Sequence, residues 1–334
     1  MVEGILLEGL IYGILALGVF ISFRVLDFPD LTAEGSFPFG AAVGGALIAR
    51  GAPPVLALVA AFGAGCAAGC ATSAIHHGLR VPPLLAGIVT MTGLYSIDLR
   101  VLGNRANLPL IARNPVMEGS QSWLGPQADP AWASLAAFGA GIVLLLIILD
   151  FFFHTELGLS LGALGDNEAA VVSMGVNPVS LRTLGVALAN GLAGLAGALA
   201  ASYQGFADVN FGSGVIAAGL ASVMLGELVL GTNRIGGQLL RVILGSVLFR
   251  AIMYAGRSWG YLAGITPNDL KLLTAILVVL ALALSRSKSG LRLRFAARGG
   301  RGSESHDSRS HDAPPHGAAQ RHAAMEGEDA DDKA

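Results

Sequence analysis

Long apolar runs separated by short polar breaks fill the chain as far as Leu284. A helix needs about 20 apolar residues to cross bilayer hydrocarbon. Nine segments approach that length: 4–23, 35–50, 54–75, 84–102, 133–153, 180–203, 214–231, 237–256 and 269–286. The second and seventh are short and rich in Gly and Ala, and each follows a polar break. The first break runs from Asp27 through Asp30 to Gly35, the other from Gln204 through Asp208 and Asn210 to Ser213. Non-helical backbone at membrane depth is tolerated where protein covers it or water reaches it. Both breaks are therefore candidates for lining a pathway, with interfacial loops as the alternative. A third interruption, Leu164 to Pro178, reads as a short helix: Asp166 or Asn167 caps its start, Gly175 ends it, and Asn177-Pro178 opens the next span. About two turns are not stable alone in water, so this helix needs something to pack against.

The pattern repeats. A shift of 181 residues lays the first span on the sixth, Asp27 on Asp208, the short second span on the short seventh, and the fourth on the ninth. The copies, about 4–102 and 183–286 with 133–153 as a linking span, lie five spans apart and would have opposite orientations. Inverted repeats with a route at their interface are a transporter architecture; chance alignment of similar apolar runs is the alternative. Lys and Arg mark cytoplasmic span ends. Arg286, Lys288, Arg292, Arg294, Arg298 and Arg301 form the densest basic cluster, which makes that end cytoplasmic and the N-terminus external. Arg24, Arg80, Arg182 and Arg234 then fall inside with the Leu164–Pro178 interruption. Arg50, Arg100, Arg105, Arg113 and Arg257 fall outside.

Composition agrees with a chain mostly in lipid. Of 334 residues 53% are hydrophobic and 13% charged, against about 25% charged in soluble domains. Glu3 and Glu8 replace the basic start of a signal peptide, so the first span is expected to be retained. Residues 299–334 are nearly free of apolar side chains and read as a disordered cytoplasmic tail, leaving 1–298 as the membrane domain. No basic stripe with interleaved aromatics supports nucleic-acid binding. Cys66 and Cys70 read as packing residues, and no metal or cofactor set is apparent.

The three lysines, Lys271, Lys288 and Lys333, lie in no phosphate-cradling loop, so this chain is not its own ATPase. No catalytic constellation suggests an enzyme. Glu8, Asp98, Asp150, Glu227, Arg241, Arg250 and Lys271 are the ionisable groups in or near spans, where charge is costly and commonly functional. With Asp27, Asp30, Asn190, Asp208 and Asn210, Glu227 is a pathway candidate. A competing reading is an ion-coupled secondary transporter in which Glu227 or Asp98 carries a proton.

Four blocks carry a family resemblance: Arg24 to Thr32 with Gly35 to Pro38; Pro83 to Ile88 with Met91 to Ile97; Val242 to Val247; and Asp269 to Ala275. Over about residues 4–295 the chain resembles the permeases of ABC-type importers. The subgroup is the tryptophan/tyrosine transport permeases, related to the branched-chain amino acid and ribose permeases. That resemblance implies an all-α polytopic permease in the bacterial inner membrane, paired with a second copy and working with two ATPase subunits and an external binding protein. It also implies that Asp166, Asn167, Glu168, Ala169, Ala170, Val171, Met174 and Gly175 form the ATPase-coupling segment. Two features depart from the family pattern: the His-containing tail, and His76-His77 where a Lys-containing turn is expected.

Overall fold

The computed structural model describes residues 2–110, 115–122, 129–232, 234–259, 272–280 and 283. Helices α1 (Val2–Phe20, continued by a π-helical turn Ile21–Val25), α2 (Ala33–Ala49), α3 (Pro54–Leu79) and α4 (Pro83–Val101) precede a short strand β1 (Asn107–Pro109) and helix α5 (Pro115–Ser122). Then follow α6 (Pro130–His154), α7 (Glu156–Asp166), α8 (Glu168–Ser173), α9 (Pro178–Gln204), β2 (Phe206–Asp208), a 3-10 turn Val209–Gly212, α10 (Val215–Val229) and α11 (Ile235–Trp259). Local chemistry sets several boundaries. Proline occupies the first turn of α3, α4, α6 and α9, where its missing N–H costs nothing. Gly205, at φ +78°, ends α9 in the left-handed conformation.

Among the described residues seven helices are long and apolar enough to cross a membrane: α1 with its π turn, α3, α4, α6, α9, α10 with its preceding turn, and α11. α2 reaches 17 residues. The expected span 269–286 lies partly outside the described residues, within which 272–280 is helical. The 299–334 tail lies wholly outside them. The all-α expectation needs one amendment, because β1 and β2 pair antiparallel with Leu108 opposite Ala207. Three-residue strands leave no alternation from which sequence could find them. α7 was also unexpected, since its apolar residues are too few for a span.

α1 and α9 form the buried centre, and small residues let the backbones meet. Gly18 of α1 lies against the Ala189 carbonyl, while Gly65 and Gly69 of α3 lie against the Asn190 and Val186 carbonyls. Gly9 and Gly13 of α1 meet Val247 and Ile243 of α11. Such close approach is the usual basis of helix association in lipid. The neighbourhoods of α1 and α9 correspond: α2 and α3 pack on α9 and on each other, as α10 and α11 pack on α1 and on each other. α3 starts at Pro54 and α11 at Ile235, 181 residues apart.

α2 starts part-way across the bundle. It runs alongside α9 in the same direction, with Ser36 bonded to Asn190, Gly40 against Gly194 and Gly44 against Ala198. Asn190 lies 12 residues into α9 (178 to 190), about 18 Å from its first residue at 1.5 Å per residue. α10 starts nearby, because the Gly214 N–H at its cap donates to Glu34 Oε1 in the first turn of α2 (3.2 Å). Each of the two sequence breaks thus returns the chain to mid-bundle before a helix begins.

Candidate functional site

Two sites emerge, one buried around the first break and one exposed at the end of the bundle that carries α8.

The buried site closes around Asp30, whose side chain is 1% exposed. Its Oδ1 accepts from the Thr32 N–H (2.8 Å), and its Oδ2 accepts from Asn190 Nδ2 (2.6 Å). Asn190 also donates to the Val186 carbonyl and accepts from Ser36 Oγ (2.7 Å). The hydroxyls of Thr32 and Thr72 meet at 2.6 Å, and Ser22 Oγ donates to the Phe28 carbonyl. The break is thereby tied to α1, α3 and α9, and nearly every polar atom there has a partner. Satisfied networks of this kind rigidify and fix one arrangement.

The other pathway candidates separate. Asp27 is exposed at φ +50°, a left-handed position that Asp tolerates. Asp208 caps the 3-10 turn, accepting from the Asn210 N–H (2.7 Å) and from Asn107 Nδ2 across the ribbon (3.3 Å). Glu227 sits at the α8 end of the bundle, paired with Arg241 (3.1 Å) and Arg24 (3.4 Å). Of the sequence candidates, Asp30 and Asn190 share the buried site, while Asp208 and Asn210 meet only each other at the 3-10 turn. Glu34, which joins the starts of α2 and α10, escaped the sequence reading because an acid in a first helical turn is ordinary.

At the exposed site Asn167 caps α8, accepting from the Ala170 N–H (3.2 Å), and Gly175 follows it at φ +80°. Of the two expected caps Asn167 is the one used, and Asp166 instead ends the preceding helix α7. Val171, which the resemblance places in the coupling segment, is fully buried within the chain's own core and offers no outward contact. The exposed apolar surface consists of Ala169, Ala170, Val172 and Met174, the last two 52% and 63% exposed. Glu168 is held by Arg182 of α9 (3.0 Å). α7 seats on the turn just before the first break: Gly165 packs against the Val25 carbonyl, and Leu161 and Gly185 flank Leu26. Displacement of α7–α8 therefore bears on the segment that leads to Asp30.

The family model for the permease component of branched-chain amino acid transport systems matches residues 1–283. A tyrosine transport system permease protein of Clostridioides difficile is 35% identical over 288 residues, 86% of this chain and 92% of that one. An uncharacterized protein of Rickettsia prowazekii is 31% identical over 273 residues, 80% and 92% of the two chains. The ribose import permease protein of Escherichia coli is 26% identical over 259 residues, 78% and 77%. No solved structure matches.

Proposed function

The chain belongs to the family of branched-chain amino acid transport permease components, and on that premise we propose that it moves an amino acid inward across the bacterial inner membrane, driven by a separate ATPase subunit. Its membership makes it a multi-pass permease of an ABC-type system. An aromatic amino acid is the preferred cargo, by analogy with the tyrosine permease. The observation that carries the coupling is the seat of α8: a six-residue helix, too short to persist alone, held by Glu168–Arg182 and Val171 while its apolar tip stays uncovered. An ATPase groove is the partner we assign to that tip, which puts α8 in the cytoplasm and the N-terminus outside. An external binding protein delivers the solute, and a second copy of the chain completes the permease.

In this account ATPase closure pushes α8, α7 transmits the push to Val25–Leu26 through Gly165, and the break anchored at Asp30–Asn190 reorients α2. The corresponding surroundings of α1 and α9, with the 181-residue offset between α3 and α11, support two inverted repeats. Cross-linking tests the docking. With cysteine introduced at position 174, the chain should cross-link to its ATPase, whereas cysteine at buried position 171 should not. Equal labelling at the two positions, or none at 174, contradicts it.

The proton-coupled alternative loses one of its two candidates in this geometry, since Glu227 is held by two arginines at the α8 end.

A further inference from the structure

α4 presents one face to the first break and α2. A Cβ at Gly87 would lie 2.8 Å from the Leu31 nitrogen and 3.0 Å from Asp30 Oδ1, and Gly35 of α2 lies against Met91 and Leu94. Asp98 continues that face one turn beyond Leu94, where residues at i and i+4 stack. From Gly87 to Asp98 is 11 residues, about 16 Å along the helix. Beyond Asp98 the chain passes through buried Leu102 into β1, whose partner β2 leads to the 3-10 turn packed on α2 and α4.

Asp98 is fully buried, and among the described residues neither carboxylate oxygen has a hydrogen-bond partner. Asp30 forms a contrast, with both its oxygens engaged. A buried carboxylate without a partner is among the most costly groups a membrane protein carries, and it persists where it meets a partner in another state. Among the described residues no group of three Asp, Glu, His or Cys side chains could make this a metal site. A lone buried carboxylate of this kind suits a single cationic group that forms a charge-assisted hydrogen bond.

We propose that Asp98 is the counter-charge for the ammonium group of the transported amino acid, encountered on the α2–α4 seam before Glu34 and Asp30. This rests on the amino-acid reading above. Asp98 takes the ammonium in a charge-assisted hydrogen bond, and the positive starts of α2 and α10 face the level where the solute carboxylate would follow.

The test uses the full chain in lipid nanodiscs and, in parallel, proteoliposomes with its ATPase and binding protein. Tyramine, which has the ammonium without the carboxylate, should raise the unfolding temperature of the wild type and of Asp98→Glu. It should leave Asp98→Asn unmoved, and 3-(4-hydroxyphenyl)propionate, which lacks the ammonium, should shift none of them. In proteoliposomes Asp98→Asn should lower tyrosine moved per ATP hydrolysed by about tenfold, the scale of one charged hydrogen bond, with ATPase activity retained. Equal tyramine shifts in wild type and Asp98→Asn overturn the proposal, as does unchanged tyrosine per ATP. A variant altered only in its pH profile, with amine selectivity intact, also overturns it. If tyramine binds through Asp98 while wild-type proteoliposomes move no amino acid, the functional reading falls and the site stands.

Discussion

Asp30 and Asn190 were both legible in the sequence as polar residues among apolar ones, but their 2.6 Å contact joins positions 160 residues apart, beyond any local pattern. Their pairing makes a stability prediction. Asn190→Ala strands Asp30 Oδ2 and the Ser36 hydroxyl, and leaving buried groups unpaired costs about 1–3 kcal/mol each. Thermal unfolding in nanodiscs should show a clearly lowered midpoint; a midpoint equal to wild type would mean the network does not hold the break. Glu227→Gln removes the anion shared by Arg241 and Arg24. Breaking a largely buried pair costs about 3 kcal/mol, so this variant should also be destabilised. A stable Glu227→Gln with lost uptake would instead restore Glu227 as a transport group. Val171 taught the opposite lesson: an apolar residue on a short helix fits either an inner or an outer contact, and only the fold decided which.

Among the elements, the helices α3, α4, α6, α9 and α11 lie where the apolar runs put them, because a membrane-crossing helix needs a length that sequence displays directly. The start of α8 at Asn167 was legible as a cap signal, whereas the three-residue ribbon strands and the 11-residue α7 were not, since both are too short to read as spans. In the proposed mechanism α7 is the element that transmits the push. Gly165→Leu would place a bulky side chain into the Val25 carbonyl; overpacking of this kind costs about 1–3 kcal/mol. The expected result is lost uptake with the position-174 cross-link to the ATPase retained. Loss of the cross-link together with uptake would show that α7 merely folds α8 and does not transmit. Met174→Arg is a cleaner uncoupling variant than Glu168→Arg, because Glu168 already has Arg182 as a partner within the chain.

For the whole molecule, α1 and α9 have corresponding neighbours, which supports the proposed repeat at an offset of 181 residues, and two helices start at mid-depth where the sequence showed only polar breaks. In the proposed mechanism α8, at one end of the bundle, is pushed by an ATPase subunit and acts on Asp30 through α7. The direct measurement is tyrosine uptake into proteoliposomes holding the chain, its ATPase and the loaded binding protein. Uptake should require ATP, be abolished by Met174→Arg with the protein still inserted, and not appear under a proton gradient without ATP. Uptake driven by the proton gradient alone, or full ATP-driven uptake by Met174→Arg, would contradict it.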